Sequence, residues 1–163
     1  MISKKDFSIR SAATKHLYSI TVLTKQYFPY AGLSLEKIGA RLRDKRFKYF
    51  VALYNSHSVG YVDLHMRGKT CKILGLAVLP EFRGFGVGTK LLQSAMKEGR
   101  KRGATRLVLL TTEGNSARGL YERMGFVKKG RLKKKLWGHE VIVMEYRKGK
   151  HAKTPIPARR DVS

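Results

Sequence analysis

The chain has 163 residues, 42% of them hydrophobic, which suits one globular domain, and its only cysteine, Cys71, excludes an internal disulfide and a cysteine-based zinc cluster. No apolar stretch approaches the roughly 20 residues that cross a bilayer, and the first residues lack the apolar run of a secretory signal, so we expect a cytoplasmic protein without a transmembrane segment or a metal. The formal net charge of +24 is extreme for this length and favours phosphate polymers or other acidic partners.

The first half of the chain is predicted to contain two helices and four strands. Phe28-Pro29-Tyr30 breaks the first helical pattern, and Ser34 is a candidate N-cap for a second helix with an apolar face. In chain order, the predicted elements are a strand over residues 7–10, a helix over 11–27, a helix from Ser34, and strands over 48–54, 59–66 and 70–79. Short turns separate the last three strands, which predicts an antiparallel meander that ends at Pro80.

The second half begins with a Gly-rich loop and continues as a helix with Gly103 as its stop. The further predicted elements are a strand over residues 106–112, a helix over 116–124, and closing strands over 126–127 and 140–146. A strand, a helix and a strand in this order add a parallel pair to the meander. We therefore predict an α/β (α+β) fold in one domain over residues 1–146, with a mixed, mostly antiparallel twisted sheet of six to seven strands and about four helices. Residues 147–163 are predicted to form a basic, mobile tail.

Three glycines at alternate positions mark the loop between the third meander strand and the following helix. Its sequence is Glu81-Phe82-Arg83-Gly84-Phe85-Gly86-Val87-Gly88-Thr89. Glycines let consecutive backbone N–H groups point into one concavity, and the helix that follows adds its partial positive charge, so a pyrophosphate would fit there. No Gly-Lys-Ser/Thr ends the loop, and it does not follow the first strand of a repeated parallel unit, which distinguishes it from a Walker loop and from a dinucleotide fingerprint.

Together with the preceding strand, this loop resembles the coenzyme A loop of the GNAT acetyltransferase superfamily. The family pattern, Arg/Gln-x-x-Gly-x-Gly/Ala, is matched by Arg83, Gly86 and Gly88.

A second resemblance lies further along the chain, over residues 115–126. The family's second signature is Asn-x-x-Ala-x-x-x-Tyr-x-x-x-Gly-Phe, and its positions are assigned here to Asn115, Ala117, Tyr121, Gly125 and Phe126.

This resemblance implies an acetyl-CoA-dependent N-acetyltransferase in which a neutral amine attacks the thioester directly. It implies that Tyr121 protonates the leaving thiolate and that the backbone N–H of Val78 holds the thioester oxygen. The implied cofactor-binding residues are Leu76, Ala77 and Val78 for the pantetheine arm, Arg83, Gly84, Phe85, Gly86, Val87, Gly88 and Thr89 for the pyrophosphate, and Asn115, Ala117 and Tyr121.

The general base is less well defined. Many relatives place a carboxylate in the strand before the loop, but residues 71–76 contain none, and the position five residues before Asn115 is Leu110. Glu113 is our candidate base, and the other side chains that could serve are Asp63, His65 and Glu140. Each of these groups is also a typical solvated surface residue, and a relay through water is an alternative.

The sequence leaves several acceptor amines possible. Without an evident carboxylate base, an α-amine is favoured over lysine, so a protein or peptide amine is the first hypothesis, and an aminoacyl-tRNA or another small amine is the second. A nucleic-acid-binding module on the same fold is the third. The basic run of residues 128–135 is expected in the turn between the closing strands, and together with nearby Trp137 it could attract acidic peptide or RNA. The basic surface could thus associate with nucleic acid or with the ribosome. The charge could instead serve solubility or an anionic membrane surface, and the protein could be a monomer or a homodimer.

Overall fold

A computed structural model describes residues 1–136 and 138–147, which contain seven strands and four α-helices. The predicted fold class, an α/β fold with mostly antiparallel strand pairing, is confirmed. The chain divides into two compact units, Met1–Thr105 and Arg106–Ser163. None of the described helices is long and apolar enough to cross a membrane.

The first unit contains four strands and three α-helices. In chain order they are β1 (Phe7–Ser11), α1 (Leu17–Tyr27), α2 (Leu35–Arg43), β2 (Phe47–Tyr54), β3 (His57–Arg67), β4 (Thr70–Val78) and α3 (Val87–Lys101). The four strands pair in sequence order, and each pair is antiparallel. The pairs β2–β3 and β3–β4 are those that the meander pattern predicts, whereas the pair β1–β2 was not predicted.

Two boundaries in this unit differ from the sequence prediction by two residues or more. The first helix begins at Leu17 and not at residue 11, because Ser11 still belongs to β1 and a short 3-10 turn follows, in which Ala13 N–H donates to His16 Nδ1 (2.9 Å). The third strand begins at His57, because a turn of only Asn55 and Ser56, with φ of 50° and 68°, reverses the chain. Two residues in this left-handed region are typical of a type I′ hairpin.

The predicted Ser34 cap is confirmed, since Ser34 Oγ accepts a hydrogen bond from Lys37 N–H (3.2 Å). Helices α1 and α2 bury Ile20, Leu23 and Ile38 against side chains of β2 and β3, such as Val51 and Tyr61. This apolar core fixes one face of the meander.

A β-bulge interrupts the pairing of β3 with β4. Asp63 lies opposite Gly75 and Leu64 lies opposite Ile73, so Leu74 is the extra residue on β4. Bulges re-aim neighbouring side chains and are frequent next to functional sites. This bulge lies two residues before Leu76, the first of the strand residues that lead into the Gly-rich loop.

The second unit contains β5 (Arg106–Thr112), α4 (Arg118–Arg123), β6 (Phe126–Arg131) and β7 (Val141–Tyr146). Strand β7 pairs with both β5 and β6, antiparallel to each. Strand β6 is longer than the predicted 126–127, so Lys128, Lys129 and Arg131 lie in a strand and not in the turn. Charged side chains, which are typical of edge strands, hid this element from the sequence pattern. Trp137 and residues 148–163, which include most of the predicted tail, lie outside the described residues.

Candidate active site

The Gly-rich loop begins after β4 with a 3-10 turn, Pro80–Phe82, and ends where α3 begins. Gly84 and Gly86 have φ of 88° and 80°, which only glycine adopts without strain, and a Cβ on either would meet nothing within 4 Å. The loop therefore leaves open space in front of its backbone.

Backbone donors line this space. After Arg83, whose N–H donates to Pro80 O, the next backbone N–H with a hydrogen bond is that of Lys90, which donates to Gly86 O (3.1 Å). Within the described part of the chain, the six N–H groups of residues 84–89 make no such bond. Those of Val87, Gly88 and Thr89 are the orphan donors of the first turn of α3, where the helix dipole is positive. This arrangement suits an anion.

The Arg83 side chain fastens the loop to the end of β4. Its Nε donates to Val78 O (2.9 Å), and its guanidinium lies 5.7 Å from the centroid of the Tyr27 ring. The sequence pattern indicated only the backbone of Arg83. Its side chain has a positioning role that the pattern did not reveal.

A buried carboxyl lies beside β4, on the strand next to it. Asp63 of β3 is 3% exposed, so the expectation of a solvated side chain is wrong for this residue. Arg41 of α2 places Nη1 3.6 Å from Asp63 Oδ2. Burial raises the pKa of Asp63 to about 7, although the positive charge of Arg41 acts in the opposite direction. The signal in the sequence was the position of Asp63 between the apolar residues Val62 and Leu64, because a carboxylate inside an apolar strand needs a reason.

The other candidate bases have different surroundings. His65 stacks on Phe47 with ring centroids 4.4 Å apart, and burial lowers its pKa. Glu140 forms an ion pair with Arg131. Glu113 is half exposed and is held by two guanidinium groups, 3.2 Å from Arg118 Nη1 and 3.1 Å from Arg131 Nη1.

In the second unit, residues 115–126, which resemble the second family signature, contain the short helix α4. Asn115 Oδ1 accepts a hydrogen bond from Ala117 N–H (2.7 Å), which fixes the turn that precedes α4. Tyr121 is 7% exposed, and its ring meets that of Phe126 edge-on at 6.4 Å. The fit to the second signature is looser than expected, because Asn115 stands two residues before Ala117, where the pattern has three. The segment from Ala117 to Phe126 keeps the family spacing.

The chain belongs to the acetyltransferase (GNAT) family, whose profile matches residues 15–126. The predicted family is therefore confirmed. N-alpha-acetyltransferase 30 of Schizosaccharomyces pombe is 42% identical over 90 residues, which are 51% of this chain and 59% of that protein. The [ribosomal protein bS18]-alanine N-acetyltransferase of Haemophilus influenzae is 29% identical over 82 residues, 50% of this chain and 56% of that protein. The chain thus spans less than two thirds of the length of these curated relatives.

Solved structures share the fold. Arabidopsis thaliana Naa50 in complex with the bisubstrate analogue CoA-Ac-MVNAL superposes with a TM-score of 0.75 at 19% identity, covering 88% of this chain and 99% of that one. At this identity the similarity establishes the fold alone.

Proposed function

We propose that this protein is an acetyl-CoA-dependent N-acetyltransferase whose acceptor is the α-amine of a protein or peptide. The observation that carries the proposal is the row of N–H groups over residues 84–89, at the start of α3, in a chain of the GNAT family. These groups have no backbone hydrogen-bond partner among the described residues. Two relatives, an N-alpha-acetyltransferase and a ribosomal-protein alanine N-acetyltransferase, are named for action on protein N-termini, which supports this acceptor class.

The loop fits the phosphates of coenzyme A, because its glycines leave space and its N–H groups supply donors. The bound cofactor supplies the acetyl thioester. In this proposal the backbone N–H groups of residues 84–89 bind the pyrophosphate. Arg83, whose own N–H donates to Pro80 O, holds the loop against β4 through its side chain. Leu76, Ala77 and Val78 offer strand backbone to the pantetheine arm, and the Val78 N–H polarises the thioester oxygen.

Tyr121 is the proposed acid for the leaving thiolate, and Asn115 and Ala117 are proposed to contact the cofactor. The burial of Tyr121 supports the role only indirectly, since a buried ring holds its hydroxyl in one place. The amide oxygen of Asn115 accepts the hydrogen bond from Ala117 N–H, so the side-chain NH₂ of Asn115, which has no partner among the described residues, is the group proposed to contact the cofactor.

The general base can be assigned to Asp63 or to Glu113. Using Glu113 as a base would require it to leave two guanidinium partners. Asp63 has a pKa raised by burial to about 7, which places its proton exchange near neutral pH, where a general base is most effective. We therefore propose Asp63 as the acceptor of the amine proton, and because its side chain is buried, a water relay would carry the proton.

The energetics favour an α-amine. Deprotonating a lysine at pH 7 costs about 4–5 kcal/mol, whereas an α-amine costs about 1 kcal/mol. A base with a pKa near 7 can remove the proton of an α-amine but is poorly matched to lysine. An aminoacyl-tRNA also presents an α-amine and stays the alternative acceptor. Cytoplasmic location, ribosome association and oligomeric state stay predictions.

The test is release of free thiol from acetyl-CoA with matched acceptors. One peptide has a free N-terminus and no lysine, a second is the same peptide blocked at its N-terminus with one internal lysine, and the third and fourth acceptors are a polyamine and an aminoacyl-tRNA. Turnover with the free N-terminus alone supports the proposal. Turnover with the blocked lysine peptide alone would mean that the acceptor is a lysine side chain. Cofactor binding without turnover on any of the four acceptors would contradict the proposed enzymatic activity.

The base is tested by the pH dependence of kcat/KM. The wild-type profile should show two ionisations, that of the peptide amine and one near pH 7, and Asp63→Asn should lose the second while keeping cofactor affinity. If Glu113→Gln removes that ionisation and Asp63→Asn keeps it, the assignment to Asp63 is wrong.

A further inference from the structure

Three segments of the first unit meet at one of its ends. Arg102 Nη1 donates to Lys45 O (2.6 Å), which joins the end of α3 to the turn between α2 and β2. Met66 N–H donates to Arg46 O (2.7 Å), and Thr105 N–H donates to Lys69 O (2.8 Å), which add the turn between β3 and β4. Residues 43–46, 67–69 and 97–102 therefore form one continuous surface, which we call the basic end.

The basic end carries far more positive than negative charge. Its cations, all exposed, are Arg43, Lys45, Arg46, Arg67, Lys69, Lys97, Arg100, Lys101 and Arg102. Its two carboxylates are already paired, Asp44 with Arg46 and Glu98 with Arg102, each at 2.7 Å. Throughout the described part of the chain the ion pairs are made by arginines, so the four lysines of the basic end keep their charge uncompensated.

This surface is remote from the Gly-rich loop. The basic end lies at the start of β4 and at the end of α3, whereas the loop joins the end of β4 to the start of α3. The nine residues of β4 span roughly 27 Å, and the fifteen residues of α3 roughly 22 Å. The charge is therefore not needed to hold the phosphates of the cofactor.

The composition of the surface identifies its partner. Surfaces that insert into a membrane carry apolar side chains, and protein interfaces rely on aromatic or apolar anchors. Among the described residues, the exposed large hydrophobic side chains are Met1, Tyr18, Val22, Tyr30, Leu35, Val127 and Leu132. None of them belongs to the basic end. Flexible lysines without apolar neighbours are suited to phosphate groups, which need charge and little shape.

We propose that the basic end binds the phosphate backbone of a nucleic-acid duplex, without reading its sequence. This goes beyond acetyl transfer, since it would hold the enzyme against an RNA-rich or DNA-rich partner while the loop at the other end stays free. Each lysine that neutralises a phosphate releases a counterion, so the binding should weaken steeply with salt.

The test compares three variants, each of which lowers the formal net charge of +24 by four. In the first, Lys45, Lys69, Lys97 and Lys101 of the basic end become Gln. In the second, the same change is made at Lys128, Lys129, Lys133 and Lys134, within the basic run of the second unit. In the third, the control, it is made at Lys4, Lys5, Lys15 and Lys25. Residues 147–163 are kept in all three.

Binding to labelled RNA and DNA duplexes of equal length is measured by fluorescence anisotropy between about 50 and 300 mM salt. The basic-end variant should bind at least about tenfold more weakly at 150 mM and lose about 3 to 4 units of the slope of log K against log salt, at about 0.9 per phosphate contact. The control should lose less than about threefold. Similar binding to both duplexes supports contact with the phosphate backbone, whereas binding to RNA alone would contradict recognition by phosphate charge.

Equal losses in all three variants would reduce the effect to net charge and overturn the proposal. A larger loss in the second variant would move the interface to the second unit and also overturn it. Acetylation of a short peptide should be unchanged in the basic-end variant, which separates this result from a folding defect and from failure of the proposed acetyl transfer. Binding of the wild type to anionic vesicles but not to either duplex would assign the surface to a membrane instead.

Discussion

Asp63 Oδ1 on β3 lies 3.1 Å from the position that a Cβ on Gly75 of β4 would occupy. The Tyr61 hydroxyl lies 3.0 Å from the same point, and Phe28 Cε2 lies 3.3 Å from it. Strand β4 itself contains no carboxylate, and the carboxyl group of the neighbouring strand packs over its Gly75. Gly75 is needed for this close approach and not for an unusual backbone angle.

Replacing Gly75 with Ala should destabilise the protein by about 1–3 kcal/mol, because the added methyl group must displace buried atoms. The Tyr61 hydroxyl cannot move freely, since it accepts a hydrogen bond from Thr24 Oγ1 (3.1 Å). The measurement is urea unfolding. Gly130→Ala is the matched control, because a Cβ there meets nothing within 4 Å, and it should change stability by less than about 0.5 kcal/mol. Equal effects at both positions would contradict the close packing over Gly75.

The raised pKa of Asp63 makes a prediction about stability. Arg41 from α2, Tyr49 from β2 and Tyr61 from β3 face this carboxyl group. Because its folded-state pKa of about 7 exceeds the ordinary value of 3.8, the folded protein holds a proton that the unfolded chain releases. The resulting stabilisation is complete below about pH 4 and is lost as the pH rises through 7.

The free energy of unfolding should therefore fall with pH, relative to Asp63→Asn, by at most about 1.4 kcal/mol per unit between pH 4 and 7. Comparing the wild type with this variant at each pH cancels the contributions of the other acids, such as Asp44, whose pKa Arg46 lowers to about 2. A difference that does not change with pH would mean that Asp63 stays ionised in the folded protein.

The sequence predicted most of the fold because its signals are local. The boundaries of β5, the Ser34 cap and the glycine loop each depend on residues close in the chain. The extension of β6 was missed because its pairing with β7 outweighs the low strand propensity of Lys128 and Lys129. The start of β3 at His57 depends on the two-residue turn of Asn55 and Ser56. These two residues allow such a turn but do not require it, so the sequence did not predict where the strand begins.

The glycine loop was predictable from the sequence, but the surroundings of the proposed base were not. The loop can be recognised from glycine spacing, because the proposed anion contacts are made by the backbone itself. The proximity of Asp63 to Gly75 depends on the register of two strands and on the bulge at Leu74, which no local pattern specifies. The same holds for Arg83, whose contact with Val78 O requires the folded loop.

Tyr121→Phe should lower kcat by about 100-fold or more and change the affinity for coenzyme A by less than about twofold. The substitution removes the proposed proton donor and keeps the ring against Phe126. Thiol-release kinetics give the first value and calorimetric titration gives the second. An unchanged kcat would mean that another group protonates the thiolate. A matched loss of cofactor affinity would instead give Tyr121 a binding role.

The glycine loop permits a test that separates strain from anion binding. Gly86 and Gly103 lie just outside the two ends of α3, both have positive φ (80° and 91°), and a Cβ on either would meet nothing within 4 Å. A Glu at either position should therefore lower stability by a similar amount, about 1–2 kcal/mol. Only at Gly86 does the carboxylate enter the space in front of the N–H groups of residues 84–89.

Gly86→Glu should consequently weaken coenzyme A binding by at least tenfold, which is about 1.4 kcal/mol, while Gly103→Glu should leave it within about twofold. Calorimetric titration of both folded variants measures this difference, and thermal unfolding checks that their stabilities match. If both variants lose affinity equally, strain in α3 and not the loop controls binding. If neither loses affinity, the pyrophosphate does not bind at residues 84–89, because a carboxylate placed among those donors would compete with it directly.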